Sequence, residues 1–357
     1  MVDVRPRITN GLSDAQAGSK RSGGPRRSIR GPLLRASRGY LSLFSCAPLG
    51  AGRVYHTLSD GYNPSTVPEL PDLTVVADAL HAALVGRPLR SVAAPGPLSV
   101  RGTPAELQAL VGQRVESIRR QGKFLLIDLE RDKVAVNPML TGRFQLAAAR
   151  EKVPSKTAVV LGFGSRMRPP KDTAPWARGA RWMPADGDDP EIRYRDPTQM
   201  GKVYLRPAGV RRVIPGLGAP DQGPEADDPE LTLEVWRDRI RRHPGELKNL
   251  LRNQSFVAGI GNAYSDEIVH AAGLLPFRRR SSLAAEEIDA LYVAMRAVLA
   301  DAIAVLRERV PPNFEKQVRD FLAVHDKGGQ PCPRCGARIT EVRAGGFITS
   351  YCRGCQR

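Results

Sequence analysis

Val257-Ala258-Gly259-Ile260-Gly261-Asn262-Ala263-Tyr264-Ser265-Asp266-Glu267 is the stretch on which the reading of the fold turns. Two glycines one residue apart let another backbone approach closely, and Asn262 falls at the turn between two helical patterns. Upstream, apolar residues recur at helical spacing over 231–242 and 245–252, and downstream over 264–272, 284–310 and 314–324. A helical domain over 230–326 is therefore expected around this turn.

Toward the N-terminus, a Pro/Gly/Asp-rich stretch at 215–229 reads as a linker, and before it the period shortens. Alternating or β-branched runs at 114–119, 124–129, 134–137, 157–163, 192–195 and 203–206, parted by Gly, Pro and Asp, predict a β-sandwich over 67–214. Asp72 can cap a leading helix whose apolar stripe is Leu73, Val76, Leu80 and Leu84, ending near Gly86 and Pro88. A basic loop at 166–190 with Trp176 and Trp182 reads as a solvated insertion, with nucleic-acid contact as the other reading.

Toward the C-terminus, Cys332-Pro-Arg-Cys335 and Cys352-Arg-Gly-Cys355 flank 16 residues. Thiolates at this spacing place four soft ligands on two facing turns, which suits tetrahedral Zn²⁺ and leaves no open coordination position. A structural zinc-finger hairpin over 327–357 is expected, made basic by Arg334, Arg338, Arg343, Arg353 and Arg357. An iron–sulfur or redox reading finds no neighbouring cofactor motif, and Cys46 has no partner at ligand spacing. The fold class is thus α+β and multidomain: an N-terminal β-sandwich with a leading helix, a helical domain and a C-terminal zinc-finger β-hairpin.

The 357 residues carry a net charge of +17, which favours polyanionic partners, nucleic acid first. Apolar runs such as 41–51 and 299–306 fall short of the roughly 20 residues that span a bilayer. Residues 1–66 differ from the rest, with ten Lys or Arg against three Asp and no sustained period, and read as a disordered basic leader.

Five segments in order resemble the Fpg/Nei family of formamidopyrimidine-DNA and oxidised-base glycosylases. They are Pro68-Glu69-Leu70-Pro71-Asp72, Gly122-Lys123-Phe124-Leu125-Leu126, Leu140-Thr141-Gly142-Arg143, the stretch quoted above, which resembles the family's helix-two-turns-helix signature, and the cysteine module. The likeness implies a monomeric, cytoplasmic, nucleoid-associated enzyme acting on damaged double-stranded DNA in base-excision repair, as both glycosylase and abasic-site lyase. It makes Pro68 the nucleophile, Glu69 the acid/base and Lys123 a contact to the phosphate beside the lesion. It also puts Asn262, Lys248, Leu140, Arg143, Met200 and Arg343 on DNA, and Cys332, Cys335, Cys352 and Cys355 on zinc.

A proline nucleophile must be N-terminal, because an internal proline nitrogen is an amide without an available lone pair. The residue before Pro68 is Val67, which a GTG start codon read internally would give, so initiation at position 67 is expected, with a cleaved leader as the alternative.

The resemblance has gaps. The family's gap-filling trio corresponds to Leu140, Thr198 and Met200, so a guanidinium is missing, and Asn137 replaces a histidine. The loop that caps a flipped 8-oxoguanine is absent between Arg319 and Cys332, which favours oxidised pyrimidines or ring-opened purines. The finger's phosphate-gripping arginine is Phe347, with Arg343 a possible substitute. A damaged-DNA-binding protein without turnover is therefore the competing reading. A zinc-ribbon transcription factor would not explain the segments at 68–72 and 259–267.

Overall fold

The computed structural model describes residues 67–166, 173–344 and 346–357; the basic leader expected over 1–66 lies outside them. Helix α1 (Leu70–Leu84) starts two residues before the expected cap. Glu69 is its N-cap, and the Glu69 N–H donates to Asp72 Oδ2 at 2.8 Å, so Asp72 closes a capping box from the third helical position.

Strands β1 (Leu89–Ala93) and β2 (Val100–Arg101) and the short helix α2 (Pro104–Gln108) follow. Next come β3 (Val115–Gln121), β4 (Phe124–Leu129), β5 (Lys133–Asn137), β6 (Arg143–Ala148), β7 (Thr157–Phe163), β8 (Pro190–Arg195) and β9 (Lys202–Arg206). They form the expected sandwich, one sheet ordered β1-β7-β8-β6 and the other β2-β9-β5-β4-β3. Strands β4 and β7 are buried along their whole length, which is why their sequences are nearly continuous apolar runs. Strands β1 and β6 carry Arg, Ser, Gln and Ala, a weak pattern in the sequence.

Helices α3 (Leu233–Arg242), α4 (Leu247–Arg252), α5 (Asn262–Ala271) and α6 (Ala285–Arg309) build the helical domain around Trp236, Phe256, Ile260, Tyr264 and Met295. Strands β10 (Ile339–Ala344) and β11 (Phe347–Cys352) form the C-terminal hairpin. The two larger units share cores: Leu70 at the start of α1 packs into the helical core, while Leu306 and Val310 from the end of α6 pack into the sandwich core. No helix among the described residues is long and apolar enough to cross a membrane.

Three expectations need correction. The stretch 314–324 is a strap of turns, not a helix. Its apolar residues serve three different cores, Phe314 and Val318 in the sandwich, Leu322 in the helical domain and Val324 under the hairpin, and no single helical face could do that. The backbone N–H groups of Ala323, Val324 and His325 donate to the Glu267 carboxylate at 2.7, 2.9 and 2.8 Å, in place of a helical ladder.

The segment 215–229 is no loose linker either, since Ala226 is fully buried and Arg120 pairs with both Glu225 and Asp227. In the basic loop at 166–190, of which 167–172 lie outside the described residues, Trp176 and Trp182 pack against the sandwich core while Arg178 and Arg181 are exposed. Arg166 is buried and donates to the carbonyls of Ala82 and Val85, and Trp182 meets Phe314 edge-on at 5.6 Å. The insertion is therefore anchored on the sandwich at these points and faces solvent at Arg178 and Arg181.

Candidate active site

The start of α1 and the start of α5 meet, and their meeting builds the site. Glu69 is 2% exposed, and its carboxylate accepts hydrogen bonds from the N–H groups of Gly261 at 2.6 Å, Ala263 at 2.8 Å and Tyr264 at 3.3 Å. These are donors that a helix leaves unsatisfied at its N-terminus, where the helix dipole also favours negative charge. The glycines permit the approach. A Cβ on Gly261 would fall 2.5 Å from Glu69 Cδ and 2.7 Å from Lys123 Nζ, and one on Gly259, whose φ is +96°, 2.8 Å from Leu70 Cβ. The close backbone approach read from the sequence is thus the docking of α1 on α5, completed by the Leu70 N–H donating to the Gly259 carbonyl at 3.0 Å.

Beside this contact opens a cleft of about 610 Å³ whose lining includes Val67, Glu69, Lys123, Leu140, Arg252 and Asn262. Pro68, adjacent to Glu69 in the chain, is buried and lines a separate small pocket with Asp72, Arg143 and Gln317. Lys123 is not on a strand, as its sequence context suggested. It is the second residue of the two-residue turn joining β3 to β4, after Gly122 at φ +55°. Glu225 accepts from the Gly122 N–H at 2.5 Å, so the presumed linker fixes the turn that carries Lys123. Burial lowers the Lys123 pKa, Glu69 opposes that shift, and Arg252 and Arg319 add to it.

Beneath the cleft, Arg319 donates to Asp72 at 2.5 Å and lies 4.8 Å from the centre of the Tyr264 ring. Burial works against its charge, but Asp72 and its other acidic neighbours outweigh burial and raise its pKa.

Leu140 lines the cleft, and Met200 lies 47% exposed on the neighbouring turn. Thr198, which lacks the guanidinium, contacts Thr141 Oγ1 at 2.6 Å and donates to Asp196 at 3.1 Å, tying the two turns together. Met139, exposed and at φ 50°, adds an apolar side chain that the sequence reading missed. Arg143 is turned inward: it donates to the Gly142 carbonyl at 2.8 Å and to Gln317 at 2.8 Å, which makes it a clamp on its own turn.

Lys248 is corrected outright. It is 4% exposed, and its ammonium donates to Asp266 Oδ1 and to the Ile348 carbonyl, both at 2.6 Å. Its charge is committed to docking the hairpin and is not presented to an anion. Asn262 Nδ2 donates to the same Ile348 carbonyl at 2.9 Å, and the amide also lines the cleft. Asp266 further accepts from the Ser350 N–H at 3.1 Å and bonds His325 at 2.9 Å. Asp266 and Glu267 therefore anchor the hairpin and the strap. Two adjacent acidic residues directly before the apolar Ile268-Val269 pair were the available signal, and the sequence reading passed over it.

The sulfur atoms of Cys332, Cys335, Cys352 and Cys355 lie within 4.8 Å of one another, with Sγ–Sγ distances of 3.8 Å for Cys332–Cys355 and 3.4 Å for Cys335–Cys352. Tetrahedral bonds of about 2.3 Å to one ion require sulfurs about 3.8 Å apart, so the four residues could hold a metal ion. A Cβ on Gly354 would fall 2.9 Å from Cys335 Sγ, which accounts for glycine between the last two ligands. His270 of α5, unremarked in the sequence, brings Nε2 within 3.3 Å of Cys332 Sγ. Arg343 lines the cleft but is 69% exposed at its side chain and bonds Glu341 at 2.8 Å.

Comparison with known proteins gives the family. Residues 67–203 match the model of the formamidopyrimidine-DNA glycosylase N-terminal domain, and residues 222–310 that of the formamidopyrimidine-DNA glycosylase H2TH domain. The formamidopyrimidine-DNA glycosylase of Pelotomaculum thermopropionicum is 29% identical over 300 residues, covering 82% of this chain and 99% of the relative. That of Geobacillus kaustophilus is 32% identical over 302 residues, covering 82% of this chain and 100% of the relative. The fold is similar to that of Lactococcus lactis Fpg, crystallised with DNA containing an abasic site, at a TM-score of 0.67 and 24% identity over 81% of this chain and 99% of that one. With both domain models matched in order and a full-length relative at 32% identity, the chain belongs to the formamidopyrimidine-DNA glycosylase family of base-excision-repair enzymes.

Proposed function

We propose that the protein is a bifunctional glycosylase and abasic-site lyase that works through the imino nitrogen of Pro68. The observation that supports this most is the Glu69 carboxylate, clasped by three backbone donors next to Pro68, with Lys123 at the same cleft. A free N-terminal amine titrates near pH 7.7 to 8, so a useful fraction is neutral at physiological pH and able to attack the sugar C1′. The bond from C1′ to the base breaks, and the base departs with a proton. Glu69 acts as the acid/base at the sugar ring oxygen, and ring opening leaves a cationic iminium between Pro68 and C1′. That cation acidifies the neighbouring sugar carbon, so the 3′ and then the 5′ phosphate leave by successive eliminations. Lys123 and Asn262 hold the phosphate beside the lesion, while Leu140 and Met200 fill the space the extruded nucleotide vacates.

The working enzyme must begin at Pro68 for this chemistry. We assign zinc to the four thiolates, where it would supply no reaction chemistry and would hold the hairpin in shape. The substrate is damaged duplex DNA, bound by a monomer at the nucleoid. The direct run of the strap into Cys332, with no capping loop, favours oxidised pyrimidines and formamidopyrimidines over 8-oxoguanine.

Borohydride trapping on abasic-site duplex tests the reading. Protein beginning at Pro68 should form a covalent adduct and nick the strand, and Pro68→Gly should trap less. Absence of any adduct would favour the competing reading, a damaged-DNA-binding protein without turnover. An excision panel then ranks lesions, and 8-oxoguanine at the top would overturn the substrate assignment.

A further inference from the structure

The resemblance leaves the hairpin short of a phosphate-gripping arginine, because Phe347 stands at that position. Among the described residues, three cationic side chains reach the cleft: Lys123, Arg252 and Arg343. Of these, Arg343 is exposed, donates one N–H to Glu341 and is held by nothing more among the described residues than that surface pair. Arg252, at the last position of α4, is placed differently. Its Cζ lies 3.8 Å from the centre of the Phe347 ring, and among the described residues no carboxylate or carbonyl accepts a hydrogen bond from its guanidinium. It is half-buried, and Phe347 is 48% exposed, so the stacked pair forms one wall of the cleft rather than part of a core.

An arginine stacked face-on against a ring keeps its charge and leaves the N–H groups along its edge free. The ring also removes rotamer freedom, which lowers the entropy lost when an anion is bound. The usual alternative, an arginine held by a carboxylate, would spend those same donors within the protein. The pair therefore offers a fixed, charged and uncommitted bidentate donor within the cleft that Glu69 and Lys123 line.

We infer that Arg252, held on the Phe347 ring, is the guanidinium that grips a DNA backbone phosphate in this enzyme, supplied from helix α4 in place of the hairpin. The inference rests on the proposed DNA-cleaving function. Phe347 then serves as the platform that aims the arginine, and the hairpin still takes part in phosphate binding, indirectly.

The test measures affinity of protein beginning at Pro68 for a duplex carrying a tetrahydrofuran abasic analogue, across a series of KCl concentrations. Arg252→Gln should weaken binding about tenfold and reduce the slope of log affinity against log salt by about one. Phe347→Leu, which keeps the bulk and loses the ring, should weaken binding several-fold. The double variant should be no weaker than Arg252→Gln alone, because the ring acts only through the arginine.

Arg237→Gln, which removes an exposed arginine bonded to Asp289, should keep the wild-type slope. Thermal unfolding of each variant reports whether it is folded, and Arg252→Lys provides a second test if glutamine is not tolerated. It keeps the charge without the fork, so it should retain the slope and lose part of the affinity. Wild-type affinity and slope in Arg252→Gln would overturn the inference, as would an equal slope change in Arg237→Gln or fully additive losses in the double variant. If wild-type protein shows neither duplex binding nor borohydride trapping, the proposed function itself has failed, a result distinct from any of these.

Discussion

Helix α5 carries two seams that hold by different means. Its first turn presents backbone N–H groups, and these grip Glu69 on the cleft side. Its later turns present side chains, Asp266, Glu267 and His270, and these hold the hairpin and the strap. Backbone donors survive most side-chain changes, so on the α5 side the cleft seam is sensitive chiefly where a Cβ would intrude. The docking seam rests on individual buried charges, and deleting one leaves its partner stranded. The first should fail in activity while the fold persists. The second should fail in stability first.

The largest effect should follow Asp266→Ala. It leaves the Lys248 ammonium buried without its counter-charge, which costs about 3–5 kcal/mol. Denaturant unfolding measures this, and a loss under about 1 kcal/mol would mean that the docking seam does not depend on the pair. Gly261→Ala comes next. Displacing Glu69 and Lys123 should slow nicking of abasic-site DNA by about 100-fold, with a smaller loss of stability than Asp266→Ala. Single-turnover rates alongside melting curves decide it, and a variant that melts early but cuts at the wild-type rate would reverse the assignment of the two seams.

A smaller change is expected from His270→Phe. It removes a contact to Cys332 Sγ and should weaken metal retention about tenfold in a chelator competition, with nicking by the metal-loaded enzyme unaffected. Unchanged retention would make His270 a packing residue only. Arg343→Gln sets the baseline, since an exposed pair with Glu341 should contribute less than about 0.5 kcal/mol to stability.

The sequence made the architecture legible where one physical requirement dominated. β4 and β7 announced themselves because both faces are buried, and the four cysteines because metal geometry fixes their spacing. The glycines at 259 and 261 pointed to a close approach, although only the structure shows that the approaching groups are Leu70 and Glu69.

Reading failed where a residue serves distant partners. Lys248 has the sequence context of a surface lysine, yet its partners are Asp266, 18 positions away, and Ile348, 100 positions away. Arg252 carries no local sign of its stacking, because Phe347 lies on another element. The apolar spacing of 314–324 looks helical because it is dense, but density alone cannot say that those side chains enter three cores.

That strap has a thermodynamic consequence. A chain segment that contributes buried side chains to the sandwich, the helical unit and the hairpin in succession is a stitch through all three, so none can open far without pulling it. Local opening free energies along such a stitch approach the global value. The amides of Ala323, Val324 and His325, in a region without regular secondary structure, should then exchange with solvent deuterium as slowly as those in the middle of α5.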